Sequence, residues 1–243
     1  MINIIFGVLK TLFLLGILVI IHEGGHFTVA KLCKVRVNEF SVGFGNILWS
    51  KKGKETTYSI RLIPLGGYVS LEGEEEISDA EDSFSKSSIW KKIAIVSAGA
   101  IVNILFGLLV YFLLVTYHYG FEVALSSTGN FAGALAYSIK TLFTGGTTVD
   151  DLAGPVGIAS IVSKTSSISD FVYLLSVISL SLGVTNLVPI PPLDGGKLLI
   201  YIVEWIKRKP LQEKTSLRIQ TIGFAFIIGL SLFVLYNDVM KLF

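Results

Sequence analysis

The 243-residue chain holds a single cysteine, Cys33, so no disulfide can form within it. That residue reads as part of the packing rather than as a metal ligand. Charge is scarce as well: Asp, Glu, Lys and Arg make up 16% of the residues, against 52% hydrophobic. So much apolar surface exceeds what one soluble core can hide, which excludes an ordinary soluble domain. The net charge of +2 says little by itself, and no nucleic-acid partner is expected. The first apolar run also lacks the small-residue cleavage site of a signal peptide, so it is read as part of the working protein.

What is present is a set of long apolar runs. Four of them, each about twenty residues, fall at roughly 5–30, 93–117, 171–188 and 219–236. They predict an all-α polytopic membrane protein of four transmembrane helices, a single domain over 1–243 whose first partner is the lipid bilayer. Ten Lys and Arg residues lie between Lys31 and Lys92 and six between Lys197 and Arg218, against two between the second and third runs. By the positive-inside rule the two basic loops are cytoplasmic and both termini are extracytoplasmic, leaving 118–170 as a short outer segment.

Two of the three histidines stand four residues apart in HEGGH, formed by His22, Glu23 and His26 with two glycines. On a helix that spacing stacks both imidazoles on one face, where they can reach one metal ion with the carboxylate beside them. A zinc hydrolase uses this pattern: the metal acidifies a water and the carboxylate accepts its proton, then passes it to the leaving amine. Ionisable groups inside an apolar run cost on the order of 2.5 kcal/mol or more each unless partnered, which marks them as functional. Lys31 marks the cytoplasmic interface, and Glu23, eight residues earlier, lies roughly 12 Å inside it.

The third run ends in TNLVPIPPLDGGK, whose prolines at 189, 191 and 192 cannot continue a helix. Irregular backbone at that depth requires protein or water around it. Asp194 follows directly, either as the third metal ligand or as a cap on the helix after it; two histidines in need of a partner favour the ligand. Asn186, in the same broken stretch, could bind a substrate backbone or a developing oxyanion. Asn103, in the second run between Gly99 and Gly107, either bonds a neighbouring helix or contacts substrate in the cleft. His118 reads as an interfacial residue.

Between the first two runs, TYSIRLIPLGGYVSL suggests a small membrane-associated β-hairpin in the loop 31–92, turning at Gly66 and Gly67, with Pro64 favouring an edge. Such an edge could pair with an extended substrate, or the sheet could stand apart from substrate altogether. The acidic stretch from Glu72 to Asp82 reads as a solvated, partly disordered loop. In the outer segment, Phe131, Leu135, Ile139, Leu142 and Phe143 suggest a short helix lying on the membrane, with turns at Gly145, Gly146, Gly154 and Pro155.

With these pieces in place the chain resembles the site-2 protease family of intramembrane zinc metalloproteases, in particular its bacterial branch acting on anti-sigma factors and signal-peptide remnants. The resemblance is carried by HEGGH, FSVGFG (40–45), IPLGGYV (63–69), AGAIVN (98–103), AGPVGIA (153–159) and NLVPIPPLDGG (186–196), in the family's order. It implies that His22, His26 and Asp194 hold Zn2+ and that Glu23 is the catalytic acid/base. It further implies that Asn186 contacts substrate and that the segment around Gly66 and Gly67 presents a strand to it. The implied substrate is a transmembrane segment of a single-pass protein, usually cut first by another protease, in the cytoplasmic (inner) membrane. Two departures stand out. The PDZ domain that bacterial members commonly carry has no room between Tyr119 and Phe131, and Ala100 replaces a usual proline. The alternative to proteolysis is a zinc-binding scaffold or transporter.

Overall fold

The computed structural model describes residues 2–74, 76, 78–144, 154–209 and 211–240. In chain order the elements are α1 (Ile2–Leu32), β1 (Val37–Lys52), β2 (Thr57–Leu71), α2 (Ile89–Tyr119), α3 (Phe121–Thr144), α4 (Pro155–Ser163), α5 (Ile168–Asn186), α6 (Asp194–Lys207) and α7 (Glu213–Met240). Four of the helices contain stretches long and apolar enough to cross a membrane: Phe6–Leu32, Ile89–Tyr119, Ile168–Asn186 and Lys214–Met240. The chain is thus a mostly helical, multi-pass membrane protein with one small antiparallel sheet.

Small residues set the helix packing, as expected where lipid supplies no hydrophobic drive between helices. At Gly107 of α2, a Cβ would lie 2.8 Å from the Ser176 carbonyl oxygen of α5; at Gly183 of α5, it would lie 2.7 Å from that of Ala100. Gly25 brings α1 equally close to Ala98 of α2. One buried cluster, including Leu14, Leu18, Val162 and Leu175, joins α1, α4 and α5. A second, built on Ala30, Val35, Val37, Leu71, Phe84, Ile95 and Val96, seats the sheet on the ends of α1 and α2.

The sheet corrects the expected turn. The reversal lies between Lys52 and Thr57, where the Gly53 amide donates to the Thr56 carbonyl at 2.8 Å, and β2 runs unbroken through Pro64, Gly66 and Gly67. Phe40 of β1 has a partner on each side, Val69 and Tyr58, so the two long strands wrap around the first half of β1. Residues 67–71 are left as an edge, and the glycines are there for contact rather than for turning. Gly66 has φ +146 and packs under the Phe44 ring, and Gly67 runs against the Ser41 carbonyl. Arg61 braces this edge, its Nη2 donating to Glu39 at 2.8 Å and to the Tyr68 hydroxyl at 2.7 Å. Partial burial pushes the Glu39 carboxyl up, but hydrogen bonds from Ser59 and Arg61 outweigh it and hold the group below the usual carboxylate range.

Two further expectations change. The outer helix is longer than expected: α3 begins at Phe121, directly after Gly120 breaks α2 at φ +88, and it folds back so that Phe131 lies 4.3 Å from the Tyr111 ring. Its first half, which carries serine, threonine, asparagine and glycine, is helical as well, and its Phe121 ring packs against Phe112 of α2. Leu142 and Phe143 have side chains outside the described residues, as do Gly145 and Gly146 entirely, whereas Gly154 and Pro155 do open a helix, α4. The acidic stretch is tied down at points while Glu76, Asp79 and Glu81 stay exposed, and Glu75 lies outside the described residues. Glu72 accepts from Asn38 at 3.0 Å and Ser78 at 2.6 Å, and Arg36 holds Asp82 at 2.9 Å.

That loop also straps α6. Lys197, Tyr201 and Trp205 recur every four residues along one face of α6; the loop meets the first two, Glu74 on Lys197 at 2.7 Å and Phe84 on Tyr201 at 6.0 Å between rings, and Trp90 in the first turn of α2 meets Trp205 at 5.3 Å. Burial opposes the Lys197 charge, but the Glu74 carboxylate more than compensates, so the ammonium titrates above its ordinary value.

At its far end α7 is pinned by a buried carboxylate. Asp238 accepts from the Gly157 amide at 2.8 Å in the first turn of α4, and a Cβ at Gly154 would lie 2.9 Å from Val234. A carboxylate at a helix N-terminus satisfies a donor that would otherwise be orphaned. Asp238→Ala is therefore expected to lower the thermal midpoint in detergent by an amount corresponding to about 1–3 kcal/mol, with zinc content unchanged. An unaltered midpoint would show that this contact carries no stability.

Candidate metal centre

HEGGH lies on α1 where the helix crosses α2, and the spacing does what a helix dictates: His22 and His26 project from one face, ring centroids 4.8 Å apart. The broken segment 187–193 then carries α6 up to them. Its backbone is not left bare, since the Val188 amide donates to Thr185 at 3.1 Å, that of Ile190 to Val188 at 2.7 Å and that of Leu193 to Ile190 at 3.0 Å. Gly195, within α6, lies hard against the Leu187 and Val188 carbonyls. The fold thereby holds the first residue of α6, Asp194, directly over the imidazoles.

The three side chains form a nearly equilateral triangle. Asp194 Oδ2 is 3.1 Å from His22 Nε2 and 3.3 Å from His26 Nε2, and the two nitrogens are 3.2 Å apart. Donor atoms bound at about 2.0–2.1 Å to a tetrahedral zinc stand roughly 3.3–3.4 Å apart, so the spacing suits that ion with a fourth position open. A second observation agrees: Asp194 Oδ2 is buried and has no hydrogen bond, despite its proximity to both nitrogens. A buried carboxylate oxygen without a donor is costly unless a cation satisfies it. Among the described residues this is the group of histidines and carboxylates able to hold a metal ion.

Each histidine is gripped at its other nitrogen. His26 Nδ1 is 2.8 Å from the Ile95 carbonyl of α2, and His22 Nδ1 is 3.3 Å from the side-chain amide of Asn103. Such outer contacts fix ring orientation and leave Nε2 free to coordinate. Glu23, between His22 and His26 in sequence, lies beneath the edge of the sheet, since a Cβ at Gly67 would come within 3.0 Å of its Cγ.

The other residues singled out from sequence divide. Gly67 is at the site, against Glu23, whereas Gly66 packs on Phe44. Asn103 is fully buried, with no surface open to a peptide, and what it meets is His22. Asn186 is the half-buried last residue of α5, and its side chain makes no hydrogen bond with the described residues. Cys33 is part of the packing beside Ala30 and Val35, and His118 bonds Ser169 at 3.0 Å, away from the centre. Sequence reasoning noticed Gly99 only as a helix-packing residue; a Cβ there would fall 2.8 Å from both His22 Cε1 and His26 Cδ2. Its only signal was its position four residues before Asn103.

A family model described as peptidase family M50 matches residues 10–230. A protein of Clostridium acetobutylicum named "Putative zinc metalloprotease" is 26% identical over 332 positions, covering 97% of this chain and 98% of its own length. That alignment is longer than the present 243 residues, so the relative carries residues that this chain lacks. The protein named Protease RseP from Yersinia pestis is 43% identical over 118 residues, which cover 46% of this chain and 26% of that protein. A protein of Vibrio cholerae named "Putative zinc metalloprotease" is 48% identical over 118 residues, which cover 46% of this chain and 26% of that protein.

Proposed function

Since the chain belongs to peptidase family M50, the site-2 protease family, and is thus a membrane zinc metalloprotease, we propose that His22, His26 and Asp194 hold its zinc, that Glu23 is its acid/base, and that it cuts within transmembrane segments. The observation that carries this reading is the triangle of two imidazole nitrogens and one orphaned carboxylate oxygen, all sides between 3.1 and 3.3 Å. A zinc ion held there supplies Lewis acidity, polarising a peptide carbonyl and making water nucleophilic at neutral pH.

The protein's own groups do the rest. Glu23 takes the proton from the attacking water and returns it to the departing amine. The edge strand at 67–71, paired on one side only and lying beside Glu23 at Gly67, offers backbone groups to a substrate in extended form. A transmembrane helix must unwind to be cut, and pairing with this edge offsets part of that cost. Asn186, whose side chain has no hydrogen-bond partner among the described residues, is available to the same backbone.

The Lys- and Arg-rich loops 31–92 and 197–218 support, by the positive-inside rule, a cytoplasmic position for both loops in an inner membrane, with both termini outside. The site then lies in the cytoplasmic half of the bilayer, within a single domain spanning 1–243. The substrates that suit it are single-pass proteins of the anti-sigma-factor or signal-peptide-remnant kind, shortened beforehand by another protease. The scaffold or transporter alternative has no observation in its favour, because family membership makes the chain a peptidase.

The test is cleavage of a single-pass substrate co-reconstituted with the protein in liposomes, with the cut mapped by mass spectrometry. A zinc-dependent cut inside the span, nearer its cytoplasmic end, is expected. Cuts confined to extramembrane sequence would overturn the reading.

A further inference from the structure

We propose that Asn103 is a positioning residue that selects the metal-binding tautomer of His22; this rests on the reading of His22 as a ligand. Asn103 is fully buried on α2, its Nδ2 stands 3.3 Å from His22 Nδ1, and its Oδ1 is buried without a hydrogen bond. Its backbone is anchored, the Ser179 hydroxyl of α5 donating to the Asn103 carbonyl at 2.7 Å. The backbone that carries the amide is therefore anchored in the α2–α5 packing, and the side-chain amide meets the His22 imidazole of α1.

The chemistry of that point depends on which ring nitrogen carries the proton. As drawn, Nδ2 donates to Nδ1, which puts the proton of a neutral His22 on Nε2, the nitrogen facing Asp194. Coordination through Nε2 requires the opposite tautomer, and Nδ1–H then needs an acceptor. A half-turn of the Asn103 amide supplies it: Oδ1 replaces Nδ2 at the same place, and the orphaned oxygen gains its donor. The rotation thus pairs Oδ1 with Nδ1–H while Nδ2 takes the place Oδ1 leaves, and the Oδ1 pairing forms only when His22 is in the form that ligates.

His26 needs no such device, because the Ile95 carbonyl 2.8 Å from its Nδ1 can only accept and so fixes its tautomer permanently. The two ligands are therefore held by unlike means, one by backbone and one by a side chain that mutation can reach.

The experiment measures zinc affinity by chelator competition on the full-length protein in detergent, for the parent, Asn103→Leu, Asn103→Asp and His22→Phe. The chain has only three histidines, so 15N-histidine NMR can follow the His22 tautomer in the same samples. Asn103→Leu should weaken zinc by about 10–100-fold and lose the Nδ1–H signal of one ligand histidine. Asn103→Asp, which keeps an acceptor at that place, should restore most of both. Parent-like affinity in Asn103→Leu overturns the inference, and so does equal weakening in both variants with a lowered metal-free thermal midpoint, which is what a packing role alone gives. If His22→Phe keeps zinc, the ligand assignment itself has failed, and the two failures are told apart by that variant.

Discussion

Glu23→Gln is expected to abolish measurable proteolysis while leaving a folded protein that still binds one zinc. The substitution is nearly isosteric, and the three ligand atoms belong to other residues, so the triangle of 3.1–3.3 Å persists. What is lost is the one carboxylate beside the ligands that lies under the substrate-facing edge at Gly67. An amide cannot take a proton from water at neutral pH, and general acid/base assistance is worth about 10²–10⁴ in rate. Because proton uptake and return to the amine both fall to the same group, the loss should lie at the upper end of that range. The measurement is turnover of the liposome-reconstituted substrate beside zinc content from elemental analysis. Undiminished cleavage in the variant would falsify the assignment of Glu23; lost zinc would instead mean that the residue shapes the metal centre.

Much of this centre was legible in the sequence, because its parts follow local rules. A four-residue spacing puts two imidazoles on one helical face whatever the rest of the chain does, and three prolines near the end of an apolar run force a break whose next residue is Asp194. The four spans were equally plain, since twenty apolar residues leave few alternatives. What escaped was set by contacts between distant segments. Gly66 and Gly67 look like a turn when read locally, yet both are needed small because Phe44 and Glu23 press on them from other elements. The first half of α3 carries serine, threonine, asparagine and glycine, and only the neighbouring α2 makes it a packed helix. The acidic loop reads as solvated until Arg36, Asn38 and Lys197, each from another part of the chain, are brought to it. Asn103 lay between: its amide plainly required a partner, and only the fold could say that the partner is His22.

Gly99→Ala, the addition of one methyl group, is expected to remove zinc and activity together. Both imidazoles lie across Gly99 of α2, and the new Cβ would fall 2.8 Å from His22 Cε1 and from His26 Cδ2, well inside contact distance for carbon on carbon. Neither ring can yield cheaply. Rotating His26 breaks its bond to the Ile95 carbonyl, rotating His22 breaks its contact with Asn103, and parting the helices is resisted because Gly25 already brings α1 against the Ala98 carbonyl. Any of these movements opens the ligand triangle by a large fraction of an ångström, whereas coordination tolerates about 0.2 Å. Zinc affinity should therefore fall by at least as much as in Asn103→Leu, and cleavage with it. Gly24→Ala is the matched control: it sits within HEGGH itself, but its Cβ would meet nothing within 4 Å, and alanine favours a helix over glycine by about 1 kcal/mol. Gly24→Ala should keep zinc and activity, so that tolerance within the motif and intolerance on the facing helix together locate the constraint at the α1–α2 crossing. A Gly99→Ala protein that binds zinc as tightly as the parent would mean that the two helices do not meet there in the working enzyme.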